Sequence, residues 1–169
     1  MSQLRTNSIV PVGGIPAGAS GGGIIQCVQT TVTSVLSITS TTFTDLGMSV
    51  TITPRSTSNK ILILMDLHAS NSGADDSLFK LVRGATDIYI GDAASNRPRV
   101  TGGSGFTSNT IQSVVAHFID SPATTSSTTY KIQTQSFSGT VYVNRTGLDS
   151  DNAVYGRFAS SLIAMEVSG

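Results

Sequence analysis

From residue 24 onward, short apolar segments rich in β-branched residues recur at intervals of roughly ten residues, with turn residues between them. The clearest case is residues 42–53, where Met48, Val50 and Ile52 alternate with serine and threonine. A period of two places alternate side chains on opposite faces of a strand, which predicts a strand with one buried face. The same criteria predict strands at 24–35, 42–53, 60–70, 78–83, 86–91, 111–119, 128–137, 140–144 and 158–167. This pattern predicts an all-β chain, an antiparallel β-sandwich of the jelly-roll type with no significant helix.

The composition favours the same fold class. The 169 residues include 25 serines and 22 threonines but a single glutamate, and only 12% of the residues are charged. Helices depend on residues such as Glu, Lys, Ala and Leu, whereas strands accept threonine and other β-branched residues. The length suits one domain with a core of its own.

The balance of charge and the lengths of the apolar runs exclude two classes of partner, nucleic acids and membranes. Ten basic and ten acidic residues cancel, and neither sign forms a run. Because nucleic-acid binding needs a basic face for the phosphates, we expect no nucleic-acid partner. No apolar run approaches the roughly 20 residues of a membrane helix, and residues 1–6 lack the apolar core of a signal peptide. We therefore expect a protein that is made in the cytoplasm and does not insert into a membrane.

Residues 1–23 differ from the rest of the chain. Their last 13 residues contain six glycines and two prolines, which break helices and central strands. The sequence thus divides into an extended arm, residues 1–23, and a β-sandwich domain, residues 24–169. One interpretation of the arm is a flexible linker. The other is an anchor that becomes ordered against a partner, with Leu4, Ile9 and Val10 as its apolar contacts.

The last predicted strand is apolar on both of its faces. Leu162 and Ala164 alternate with Ile163, Met165 and Val167. In a sandwich only one face of a strand points to the core, so the other face needs separate cover. We expect Ile163, Met165 and Val167, or the opposite set, to lie in an interface between subunits.

No catalytic constellation is recognisable, and we expect neither an enzyme nor a bound cofactor. His68 and His117 lie in predicted strands and have no nearby carboxylate motif. Asp149 and Asp151 have the spacing that begins a calcium loop, but the glycine and the closing glutamate of that loop are missing. We therefore expect no metal and keep these two aspartates as weak calcium candidates. Cys27, the single cysteine, is expected to be a small buried side chain.

A series of segments, taken in order, carries a resemblance to a known class of protein. The chain opens with LRTNSIVP at 4–11 and continues with a Pro/Gly run that ends in GGGIIQ at 21–26. Further segments are SNKIL at 58–62, FKLVRG at 79–84, IGDA at 90–93, DSPATT at 120–125, VNR at 143–145 and the closing residues 160–169. Together they resemble small fibre-type structural proteins of tailed bacteriophages, especially marine phages that infect cyanobacteria. Cys27 departs from the pattern, because an aliphatic residue is expected there.

The resemblance implies a virion structural protein, a short tail fibre that forms a homotrimer through a jelly roll similar to the tumour-necrosis-factor and complement heads. The arm would dock on other virion proteins, of the tail or the capsid. Loops 92–110 and 145–156 would form an exposed tip that contacts a host-surface glycan, with Tyr142 and Tyr155 as stacking aromatics. Two alternatives remain open at this point. One is a capsid decoration or head-fibre protein without receptor binding, and the other is a stand-alone glycan-binding lectin module.

Overall fold

The computed structural model describes residues 23–73 and 75–169, without the side chains of Asp75 and Ser104. The proposed arm contacts Leu4, Ile9 and Val10 lie outside these residues. The described residues form eleven strands and contain no helix of a length and apolarity that could cross a membrane. The strands are β1 (Ile24–Val32), β2 (Leu36–Ile38), β3 (Thr44–Ile52), β4 (Lys60–Asn71), β5 (Asp75–Arg83), β6 (Thr86–Ile88), β7 (Gly102–Phe106), β8 (Gln112–Asp120), β9 (Thr128–Ser136), β10 (Val141–Val143) and β11 (Ser160–Val167).

Two antiparallel sheets pack face to face as a β-sandwich, which confirms the predicted fold class. The six-stranded sheet has the order β1-β11-β4-β10-β2, and β8 pairs with the other edge of β4. The five-stranded sheet has the order β3-β9-β5-β6, with β7 also paired to β5. Most pairings join strands that are distant in sequence, as in a jelly roll.

The core lies between the two sheets and is built by the alternation seen in the sequence. On β4 the side chains of Ile61, Ile63 and Met65 point inward and are 0–1% exposed. They meet Phe79 and Tyr130 from the five-stranded sheet, which are fully buried. Burying side chains of this size contributes about 1.5–3 kcal/mol each.

A polar clasp closes the end of the sandwich where β1 begins. Glu166, the single glutamate, is fully buried and accepts hydrogen bonds from Gln26 Nε2 and Asn59 Nδ2, both at 2.5 Å, and from the backbone nitrogen of Arg55 at 2.6 Å. Burial raises the pKa of Glu166, but these hydrogen bonds outweigh it and hold the pKa below its ordinary value of 4.5. The carboxylate therefore ties β1 and the β3–β4 loop to β11.

A second buried group joins the two sheets at the same end. Asp120 of β8 accepts a hydrogen bond from Tyr130 Oη at 2.7 Å, and Arg83 Nη1 donates to both of its carboxylate oxygens at 2.7 Å. Burial raises the pKa of Tyr130 well above its ordinary value, and the bond to Asp120 raises it further. Tyr130 is therefore a neutral hydrogen-bond donor to Asp120 at neutral pH.

Two expectations from the sequence are wrong in detail. Residues 102–106 were expected in a loop but form β7, which pairs with β5. Gly103 has φ of 130°, and a Cβ there would collide with the Ser77 carbonyl, so glycine is needed for the close approach of the two strands. Cys27 is exposed rather than buried, because it lies on the outward face of β1 beside Met165.

The clasp predicts a pH-dependent loss of stability in Glu166→Gln. We expect this variant to lower the free energy of unfolding by about 1–3 kcal/mol at neutral pH, since the amide leaves Gln26 without its charged acceptor. Because the folded carboxyl has the lower pKa, its contribution is complete above the unfolded value near 4.5 and disappears as the pH falls through the folded pKa. Thermal unfolding of both proteins from neutral pH to about pH 3 measures the difference. The exposed Asp92→Asn is the control, and a pH-independent difference would contradict the assignment.

Candidate functional site

The two ends of the sandwich carry different parts of the chain. At one end Ser168 N donates to Gly23 O at 3.2 Å, so residue 23 and the C-terminal segment lie together where β4 begins. At the other end, where β4 finishes at Asn71, lie loops 107–111 and 144–159. We call this second end the tip. Whatever precedes residue 23 therefore joins the domain at the end away from the tip.

Of the two predicted tip loops, one lies at the tip and the other only in part. Loop 145–156 lies there and contacts residues 107–110 through the bond from Leu148 N to Ser108 O, at 2.8 Å. Residues 92–101 follow the side of the sandwich instead, because Thr101 N donates to Phe79 O in the middle of β5. The strand β7 separates this side segment from the tip.

A clamp of three charged side chains shapes the tip loop. The carboxylate of Asp149 accepts from Arg145 Nη1 through Oδ2 and from Arg157 Nη2 through Oδ1, each at 2.6 Å. The slight burial of this carboxylate raises the pKa of Asp149. Its hydrogen bonds and charge attraction to the two arginines have a larger effect in the opposite direction, so the pKa lies below its ordinary value. The guanidinium of Arg145 also lies over the ring of Tyr142, 3.7 Å from its centre. One face of the Tyr142 ring is thus covered, so Tyr142 positions the clamp.

Beside the clamp is a cavity of about 400 Å³, which we call the tip cavity. Its lining residues are Asp149, Ser150, Asp151, Asn152, Tyr155 and Arg157. Both predicted aromatics, Tyr142 and Tyr155, are half-buried, and of the two only Tyr155 lines the cavity. Within the described part of the chain, Arg145 Nε behind this wall is the buried side-chain nitrogen that has no hydrogen-bond partner. Both oxygens of Asp149 hold arginines, and no group of three or more His, Cys, Asp or Glu side chains suited to a metal ion occurs among residues 23–73 and 75–169.

A second surface is the outward face of the six-stranded sheet, which we call the outer face. The residues Ile163, Met165 and Val167 of β11 point outward here and are half-buried, while Leu162 and Ala164 face the core. Strand pairing places Cys27, Leu62 and Ile119 in one apolar row with Met165 across β1, β11, β4 and β8. Leu64 lies in the next row beside Ile163, and Val115 lies in the row after that, beside Asp66. Of these side chains, Val115 is 56% and Ile119 61% exposed.

The outward face of the five-stranded sheet has the opposite character. Ser49 and Thr51 of β3 lie opposite Lys131 and Thr129 of β9. Lys131 Nζ and Asp45 form an ion pair at 2.8 Å, and the hydroxyls of Thr51 and Thr129 are 2.8 Å apart. This face is adapted to water, so the two outward faces of the same sandwich differ in polarity.

Both histidines lie on the outer face. His117 is exposed and pairs across the strands with Leu64. His68 stacks on Phe158 with ring centres 5.4 Å apart, and its Nδ1 donates to Ala159 O at 2.9 Å. His68 therefore connects the outer face to the segment that leaves the tip loop.

Sequence reasoning found the β11 part of the outer face and missed the rest of it. The unbroken apolar run 61–65 is the signal for Leu62 and Leu64, because a strand with apolar side chains on both faces needs cover on both sides. Val115 and Ile119 alternate with inward side chains on β8, but their exposure depends on β8 being paired on one edge only. For the Arg145–Asp149–Arg157 clamp, the sequence shows three charged residues but gives no indication that they pair with one another.

Comparisons with known proteins add little to this geometry. Neither the protein-family models nor the curated proteins gave a match to this chain. Among solved structures, the chain is similar to dimeric latent PorU from Porphyromonas gingivalis, with 9% sequence identity and a TM-score of 0.37. The match covers 89% of this chain but only 14% of that chain, and it carries no argument about function.

The clamp predicts local rather than global loosening when Asp149 is replaced. In Asp149→Asn both arginines lose their charged acceptor, so we expect amide hydrogen exchange in residues 145–157 to become several-fold faster. The midpoint of thermal unfolding should stay close to that of the unaltered protein, because the loop lies outside the core. Asp151→Asn, which leaves the clamp intact, is the matched control. Equal exchange rates in the two variants would refute the clamp.

Proposed function

We propose that this protein is a non-enzymatic bacteriophage virion protein, a short homotrimeric tail fibre. Its arm, residues 1–23, docks on other virion proteins of the tail or capsid through Leu4, Ile9 and Val10. The β-sandwich projects outward and contacts the host surface through its tip. The resemblance of the sequence segments to phage fibre proteins supports the class, and the placement of residue 23 at the end away from the tip is consistent with this polarity.

The observation that carries the proposal is the apolar outer face. One apolar row crosses this face from Cys27 through Met165 and Leu62 to Ile119. Exposed apolar patches on a protein surface often mark contacts with other proteins. The polar outward face of the five-stranded sheet serves as an internal comparison, because both faces belong to one domain. A difference in polarity between them is expected if one face is covered in the assembled protein.

The size of the outer face suits contacts between copies. Four strands about 4.8 Å apart and about nine residues long cover about 600 Å², and each partner in a standard interface contributes about 800 Å². A ring of three copies, closed by a three-fold axis, would cover the outer faces together. It would place the three arms at one end and the three tips at the other.

Two alternatives differ from this proposal in testable ways. A capsid decoration or head-fibre protein would use the same outer face and arm, but virions labelled on this protein would show it on the head rather than the tail. A stand-alone lectin module is favoured by one observation, the polar tip cavity, which is formed by a single copy. Such a module would bind glycans without residues 1–23 and without a virion.

Light scattering behind a size-exclusion column tests the trimer. The chain has a mass of 17.5 kDa, so the trimer should have a mass of about 52 kDa. Met165→Lys places a charge in the middle of the outer face, and we expect it to give monomers because a buried unpaired charge is strongly unfavourable. Ser49→Lys on the other sheet is the matched control and should remain trimeric. A monomeric unaltered protein would refute the homotrimer.

Deletion of residues 1–23 tests the arm. We expect the truncated protein to keep its fold, because the described core involves only later residues. It should then be absent from purified virions, as measured by quantitative mass spectrometry against the major capsid protein. The triple variant Leu4→Ser, Ile9→Ser and Val10→Ser should show the same loss at full length. Normal incorporation of the truncated chain would disprove the anchoring role.

A further inference from the structure

We infer that the tip cavity is a binding site for a neutral saccharide unit, with the ring of Tyr155 as the surface on which the sugar packs. The inference rests on the proposed contact between the tip and the host surface, and it names the chemical class of ligand and the residues that take it. It differs from the sequence-based expectation in one respect. Tyr142 supports the site through Arg145, and Tyr155 is the aromatic that lines the cavity.

The charges around the cavity favour a neutral ligand. Asp149 and Asp151 are balanced by Arg145 and Arg157, so the four side chains sum to zero charge. An anion attracted by Arg157, which is 58% exposed, would meet the exposed carboxylate of Asp151 nearby. A cation would meet the two arginines that already hold Asp149. Neither an anion nor a cation is therefore attracted overall by the charged side chains around the tip cavity.

The polar groups of the lining are those that hydroxyl groups require. A sugar hydroxyl both donates and accepts, so it pairs best with a mixture of carboxylates and donors. Asp151 offers acceptors only, while Arg157 uses Nη2 on Asp149 and has further N–H groups on an exposed guanidinium. Asn152 Oδ1 accepts from Val154 N at 3.1 Å, which leaves the amide nitrogen of Asn152 as its donor. Ser150 and Tyr155 add hydroxyl groups, each of which can both donate and accept a hydrogen bond.

Internal hydrogen bonds and ion pairs hold the wall of the cavity in place without a ligand, an arrangement that lowers the entropic cost of binding. The clamp fixes residues 145, 149 and 157, and two turn hydrogen bonds fix the segment between them. Asn152 N donates to Ser150 O at 2.8 Å, and Tyr155 N donates to Asn152 O at 3.0 Å.

A shallow polar cavity of this size holds one sugar ring, and we expect weak binding by each copy. Three copies in one fibre would raise the effective affinity for a surface that repeats the same sugar. This explains how a cavity without a deep apolar wall could serve in attachment.

Titration of the full-length protein by two-dimensional NMR, with spectral assignments for residues 145–157, tests the inference. The probes are the methyl α-glycosides of glucose, galactose and mannose, together with the methyl α-glycoside of N-acetylneuraminic acid as an acidic sugar. We expect saturable shifts in residues 149–157 with at least one neutral glycoside in the millimolar range, and none with the acidic sugar. No saturable shift at the tip cavity with any neutral glycoside, or shifts with the acidic sugar alone, would overturn the inference.

Variants separate binding from folding. Tyr155→Ala and Asp151→Asn should each weaken binding at least about tenfold, while Tyr89→Ala and Asp92→Asn, exposed residues away from the tip, should not. Asp151→Asn keeps the clamp, so it remains informative if Tyr155→Ala disturbs the loop. Unchanged affinity in Tyr155→Ala and Asp151→Asn would refute the assigned site. A trimer that enters virions but binds no neutral sugar would refute this inference alone and leave the fibre proposal standing. A monomeric protein that binds a neutral sugar would refute the homotrimer and leave the binding site standing.

Discussion

The pairing of β4 along both of its edges is the constraint on which the rest of the structure depends. One edge pairs with β8 over residues 61–69, and the other pairs with β11 and then with β10. Because side chains alternate, a slip of one residue would exchange Ile61, Ile63 and Met65 with Leu62, Leu64 and Asp66. Burying Asp66 in the core forbids that exchange, so the register is fixed by the inward set. The apolar outward pair Leu62 and Leu64 is not needed for the register, which is why it requires another explanation.

Buried hydroxyl and amide groups explain why a chain with so few charges holds its loops in place. Asn71 Nδ2 donates to Ser77 and Ser136, and Asn144 Nδ2 donates to the carbonyls of Val32 and Ser34. Satisfied networks of this kind specify one arrangement of the backbone, because any other leaves a buried polar atom unpaired. Both asparagines lie at the tip end of the sandwich. The serine-rich composition therefore supports the loops from which the tip cavity is built, as well as the strands.

Most strands could be predicted from alternation, and the failures have identifiable physical causes. The strand β7 has the sequence GGSGF, which lacks the side chains on which alternation depends, and it is a strand because glycine alone fits against Ser77. Cys27 was misplaced because its apolar neighbours hid which face of β1 it occupies. The candidate site was predicted as a loop with two aromatics, Tyr142 and Tyr155, of which Tyr155 lines the cavity. Asp149 and Asp151 were expected there only as weak calcium candidates. Its clamp joins residues 145, 149 and 157 through tertiary geometry, and no spacing in the sequence indicates which arginines reach Asp149.

The outer face and the tip are linked by a short path through the structure. His68 belongs to the outer face by its position on β4, yet its ring stacks on Phe158 and its Nδ1 binds the Ala159 carbonyl. Residues 158 and 159 directly follow Arg157, which borders the tip cavity together with Asp149 of the clamp. The segment that leads from the tip loop into β11 is therefore held in place by a side chain of the outer face.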